Sequence, residues 1–87
     1  MADHKSELKR ARQNEIHRMR NKAVKSRVKS IIKEVQLAVG EAAIETAREK
    51  LNIAKSVIDK AAKKKVLHKK TAARKISRLS RSVNTVA

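Results

Sequence analysis

No proline occurs anywhere in this chain, and its only glycine is Gly40. Those two residues do most to break regular backbone, so continuous helix is permitted almost from end to end. A strand reading has little support, and Phe, Tyr and Trp are missing altogether. The apolar residues instead recur at helical spacing. Val24, Val28, Ile31, Val35, Ala38 and Ala42 follow intervals of 4, 3, 4, 3 and 4. Ile44, Ala47, Leu51, Ala54, Ile58 and Ala61 make a second stripe, and Ala72, Ile76, Leu79, Val83 and Val86 a third. Each puts one apolar stripe on one face of a helix.

Breaks between the stripes set the expected boundaries. Gly40 is a plausible C-terminal stop for the first helix. Lys63, Lys64 and Lys65 interrupt the apolar pattern, which predicts a turn near residues 63–67. Ser6 is a candidate N-cap, with Glu7 favourably placed against the helix dipole. The first helix is then expected from about Ser6 to Val39, roughly 50 Å at 1.5 Å per residue. Only its later half carries a strong core stripe; Leu8, Ile16 and Met19 lie scattered among cations. The expected fold is all-α, a single domain over residues 1–87. It is a three-helix antiparallel bundle whose long first helix projects a basic extension, residues 1–22. That extension is expected to fray in the free protein and order on a partner. Stripes of under three heptads with short connections favour packing within the chain over a coiled coil.

With 87 residues and no aromatic anchors, the core is small, and ordering the backbone offsets most of what it contributes. A stabilising partner is expected, and charge indicates its nature. Lys and Arg number 24 against 8 Asp and Glu, a net charge of +16. Such a chain repels itself and attracts polyanions. The imbalance is uneven: residues 1–29 carry net +7, residues 30–62 net zero and residues 63–87 net +9. Both ends read as binding surface and the middle as ordinary protein.

Catalysis finds no support. There is no cysteine, so disulfides, thiolate chemistry and Cys-bound zinc are excluded. His4, His17 and His68 have no second histidine at metal spacing and no acidic cluster beside them. A ribonuclease needs a general acid and base around a phosphate, and His68 lacks an evident partner. The plainer reading is that His68 contacts backbone or phosphate at a helix start. No glycine-rich phosphate loop or nucleophile motif is present, so no cofactor or small-molecule substrate is expected. No apolar run approaches the length of a membrane span, and Met1–Arg12 lacks the apolar segment of a secretory signal.

The cations form two sets. Lys9, Arg10, Arg12, Arg18, Arg20, Lys22 and Lys25, among others, wind around the first helix, so that rod can meet phosphates on more than one side. In the third helix Lys70, Arg74 and Arg78 fall at i, i+4 and i+8, off the Ala72–Ile76–Leu79 stripe, with Lys69, Lys75 and Arg81 close by. Single-strand readers stack bases on aromatic rings, which this chain lacks. Gln13, Asn14 and Asn21 are too scattered for a DNA recognition helix. Recognition of folded RNA by its backbone shape remains. DNA compaction is a rival reading. Adsorption to anionic lipid is another, disfavoured by shallow, alanine-rich apolar faces.

The residues themselves resemble a known family. Lys5-Ser6, Lys9-Arg10, Arg12-Gln13-Asn14, Arg18, Arg20-Asn21-Lys22-Ala23 and Lys25-Ser26 are similar to the N-terminal signature of the family of the twentieth protein of the bacterial small ribosomal subunit. Ile58 to Lys64, then Leu67 to Lys75 with Ser77-Arg78-Leu79, resemble its C-terminal signature. That resemblance implies a three-helix bundle with an elongated first helix and no catalytic activity. It implies a structural constituent, monomeric within the small ribosomal subunit beside that particle's other components, in the cytoplasm or in an organelle. The implied partner is small-subunit ribosomal RNA, in its 5′ domain and long penultimate helix. The residues expected to contact that RNA, from the basic faces of the first and third helices, are Lys9, Arg10, Arg12, Arg18, Arg20, Lys22, Lys25, His68, Lys69, Lys70, Arg74, Lys75 and Arg78. The chain departs from the family pattern at Lys65, where glycine is common, and at Lys70, where asparagine is common. Gly40 also sits slightly earlier than the family's usual glycine between the first two helices.

Overall fold

Nothing in the sequence opposes helix, and helix fills the chain. The computed structural model describes the backbone of residues 2–87 and the side chains from Ser6 onward; the side chains of His4 and Lys5 lie outside the described residues. Three helices follow one another: α1, Ala2–Gly40; α2, Ile44–Lys63; and α3, Lys69–Val86. The connections are three and five residues long, too short for anything but antiparallel neighbours. All three helix pairs touch. The principal extents are 64 × 21 × 14 Å, so the molecule is a rod and not a ball.

Core composition follows the stripes. Among the described residues thirteen apolar side chains are buried, and no polar or charged one is. Val35, Ile58 and Val83, one from each helix, are the largest that are fully enclosed. Ala38, Ala47, Ala54, Ala61 and Ala72 supply five of the thirteen and let the helices approach closely. Val57 is buried although it lies outside the expected stripe. α2 packs against both α1 and α3, so its apolar face is wider than one residue per turn.

Three boundary expectations need correction. Ser6 is not an N-cap: α1 begins at Ala2, which places Ser6 a turn inside it. Ala42 is not in the core; it is exposed in the α1–α2 turn. Ile44, the first residue of the second stripe, is likewise 36% exposed. Gly40 does end α1, but its backbone is not left-handed, and a methyl group there would meet nothing within 4 Å. The left-handed residue is Ala42, at φ 54°.

Ala42 and Lys65 play matching roles. The Ala42 N–H donates to the Val39 carbonyl and the Ala43 N–H to that of Ala38. At the end of α2 the Lys65 N–H donates to Ala62 and the Val66 N–H to Ala61, with Lys65 at φ 61°. Both sets are the paired 5→2 and 6→1 bonds of a Schellman stop, whose left-handed residue is usually glycine. Lys65, where the resembled family commonly has glycine, therefore keeps the turn and accepts the strain. For an L-residue that conformation costs about 1–2 kcal/mol, partly offset by the unfolded-state entropy that glycine adds. Lys65→Gly and Ala42→Gly are each expected to stabilise the fold by about 0.5–1 kcal/mol. Thermal melts should rise by roughly 2–6 °C; an unchanged or lower midpoint would show that the side chains are not strained.

Candidate nucleic-acid interface

α1 is about 58 Å long at 1.5 Å per residue, and α2 about 30 Å. The excess has no helix beside it: every residue from Ser6 to Ala23 is exposed. Burial begins at Val24 and deepens at Val28. The sequence-predicted cations Lys9, Arg10, Arg12, Arg18, Arg20 and Lys22 all sit on this bare rod, and Lys25 lies exposed where the rod meets the bundle.

Helical geometry sorts them into rows. Arg18, Lys22, Lys25 and Lys29 follow i, i+4, i+7 and i+11 and so share one strip, pointing away from the Val28–Ile31–Val35 core. Asn14 and Asn21 border a shallow depression on that side with Arg18, Lys22, Lys25 and Lys29. Lys9, Arg20 and Arg27 lie about half a turn round, on the opposite flank. The rod thus offers cations to both sides at once.

α3 presents a third row. Lys70, Arg74, Arg78 and Arg81 are exposed, opposite the buried Ala72, Leu79 and Val83. Lys69 is also exposed, while Lys75 is half-buried at the edge of the core face. His68 is the N-cap of α3: its Nδ1 accepts the Lys70 N–H at 3.1 Å, and its backbone is extended at φ −67°, ψ 143°. The backbone role expected for this histidine is therefore present. It leaves Nε2 on the exposed side of the ring as a donor.

These cations are largely unneutralised. Among the described residues there are two ion pairs, Arg18 with Glu15 at 3.7 Å and Lys50 with Glu34 at 3.7 Å. Of the residues implicated by sequence only Arg18 meets a carboxylate, and that pair is exposed and weak. Phosphate can replace such a partner without a desolvation cost to the core. The described residues contain no group of three His, Asp or Glu arranged to hold a metal ion. No helix among them is long and apolar enough to cross a membrane.

The family model of ribosomal protein S20 matches residues 2–84, which takes in all three helices. The chain belongs to the ribosomal protein S20 family. Its relatives agree over their whole length. It is 52% identical over 86 residues to small ribosomal subunit protein bS20 of Syntrophobacter fumaroxidans, covering 99% of this chain and 100% of that one. It is 52% identical to the bS20 of Nitratidesulfovibrio vulgaris strain DP4 over the full length of both. Against the bS20 of Solidesulfovibrio magneticus it is 56% identical over 86 residues, 97% of this chain and 94% of that one. The S20 match bears out the family resemblance carried by the two basic signature blocks.

Arg27 is absent from the contact set read from the sequence, and that reading gave α2 no part in the site. In the fold Arg27 stands across a groove from Lys60 and Lys64. No local signal links residues over thirty positions apart, so only the packing of α1 on α2 reveals their convergence.

Proposed function

We propose that this protein is a structural constituent of the small ribosomal subunit, not an enzyme, and that it binds small-subunit ribosomal RNA directly through phosphates. One observation carries the reading: eighteen consecutive exposed residues of α1, Ser6 to Ala23, form a bare helix with cation rows on opposite flanks. A rod of that kind neutralises two RNA strands that would otherwise repel each other. The S20 relatives named for the small ribosomal subunit support the same assignment.

In this reading Lys9, Arg10, Arg12, Arg18, Arg20, Lys22 and Lys25 contact phosphates from α1. His68, Lys69, Lys70, Arg74, Lys75 and Arg78 contact them from the start and outer face of α3. The chain works as one unit, a bundle that fixes the spacing between these surfaces and a basic extension that reaches between RNA helices. The RNA segments joined are the 5′ domain and the long penultimate helix, inside a cytoplasmic ribosome. Each bound cation releases a condensed counterion, so affinity falls steeply with salt and carries little base-sequence information.

The test is a competition at one fixed salt concentration between a small-subunit ribosomal RNA transcript and duplex DNA of equal length. Preference for the transcript of tenfold or more is expected. Equal binding would favour a nucleoid-type DNA binder instead. Hydrogen exchange supplies a second check. Residues 7–20 are exposed along the bare part of α1, so their amides should exchange fast in the free protein and slow by at least tenfold in the RNA complex. Equal protection in both states would remove the claim that this segment orders on RNA.

A further inference from the structure

The groove between α1 and α2, about 480 Å³ in volume, has apolar walls and a cationic rim. Val24, Val57 and Ala61 form its floor, and Ile53 stands beside them, 46% exposed. Arg27 borders it from α1, Lys60 from the last turn of α2 and Lys64 from the C-cap of that helix. Ile53 and Lys60 follow i and i+7 on one face of α2, and Lys64, at the C-cap, continues that line at i+11. No carboxylate lines the groove, and none of its three cations has an ion pair among the described residues. Glu34, the acid of the adjoining groove, is engaged by Lys50 at 3.7 Å.

We propose that this groove is a further RNA-binding subsite, in which Arg27, Lys60 and Lys64 hold phosphates while Ile53 packs against the sugar edge of the same strand. The proposal rests on the RNA-binding reading and extends it to the middle helix. The helix dipole accounts for lysines at the end of α2, but not for a half-exposed isoleucine and an arginine of α1 lining the same groove. A nucleic-acid strand alternates anionic phosphate with a less polar sugar face, which matches a cationic rim over an apolar floor. A protein helix seated here would have to bring carboxylates for all three cations. The groove also continues the flank of α1 that carries Lys9 and Arg20, so a strand following that flank runs directly into it.

The experiment uses the full chain and a small-subunit ribosomal RNA transcript, titrated across a range of salt concentrations. Lys60→Gln/Lys64→Gln should flatten the slope of log affinity against log salt by about 1.4–1.8 and weaken binding by tenfold or more near physiological salt. Ile53→Ser should weaken binding severalfold with the slope unchanged. Arg48→Gln/Lys55→Gln, on the opposite flank of α2, should leave the slope within half a unit of the parent's. Circular dichroism confirms that each variant stays folded. A parental slope for Lys60→Gln/Lys64→Gln, or an equal loss for Arg48→Gln/Lys55→Gln, overturns the subsite. Parental affinity for Ile53→Ser overturns the sugar contact. Those results leave the general reading intact so long as the parent chain binds the transcript with a steep salt dependence; failure of the parent to bind overturns both.

Discussion

Leu79→Asp is expected to abolish the cooperative melt of this protein. Leu79 is 4% exposed on α3 and lies in the same cluster as Val35, Ile58 and Val83. Truncating a buried leucine alone costs about 2–5 kcal/mol. A carboxylate there adds the penalty of burying a charge. Among the described residues no polar or charged side chain is buried, so none is at hand in the core to pair with it. A domain of this size holds only about 4–13 kcal/mol in all. Five of the thirteen side chains buried among the described residues are alanines, which leaves little reserve. Helical circular dichroism should fall sharply and the thermal transition should vanish. Arg78→Asp, one residue away and exposed, should leave the melt nearly unchanged. A parental melt for Leu79→Asp would mean that the α3 stripe is not core.

The contrast between those neighbouring positions was legible in the sequence, because helical spacing alone separates them. Ala72, Leu79 and Val83 recur after two turns and then one and are buried; Lys70, Arg74 and Arg78 recur one turn apart and are exposed. The same holds for Val28, Ile31 and Val35 against Arg18, Lys22 and Lys25. The length of α1 followed from the absence of breakers, and the bare state of its first half from the thinness of its apolar stripe. Residues 64–68 form the second connection, where the lysine run predicted a turn.

What spacing could not convey is conformation at single residues and proximity between distant ones. Gly40 drew the eye as a helix stop, yet the left-handed backbone falls on Ala42. Alanine gives no sign of that, since the chain folds in spite of this residue's preference. Val57 was missed because its burial depends on α2 having two neighbours. The meeting of Arg27 with Lys60 and Lys64 is likewise a product of packing. The net neutrality of residues 30–62 concealed the part played by Lys60: four of that segment's five acids, Glu34, Glu41, Glu45 and Glu49, stand towards the α1–α2 turn, and the fifth, Asp59, does not line the groove although it neighbours Lys60 in sequence. Charge summed over a segment says nothing about which end of a helix holds it.

Lys70→Gln/Arg74→Gln/Arg78→Gln should produce the largest loss of RNA binding with no loss of fold. The three side chains are exposed, outside the ion pairs of the described residues and opposite the core face of α3, so helix content and melting should stay close to the parent's. If each cation displaces one counterion, the slope of log affinity against log salt should flatten by about 2.1–2.7, and affinity near physiological salt should fall about a hundredfold. The shape of the titration matters more than the loss itself. Parent and variant curves should converge as salt rises, because salt removes the advantage that the three charges confer. Parallel curves would mean that the variant lost a contact of another kind, and coincident curves that this strip faces solvent in the complex. Convergence would place phosphate on α3, on a rigid helix that the core holds at a fixed distance from the bare rod of α1. That fixed spacing between two cationic surfaces is what lets so small a core brace RNA strands against their own repulsion.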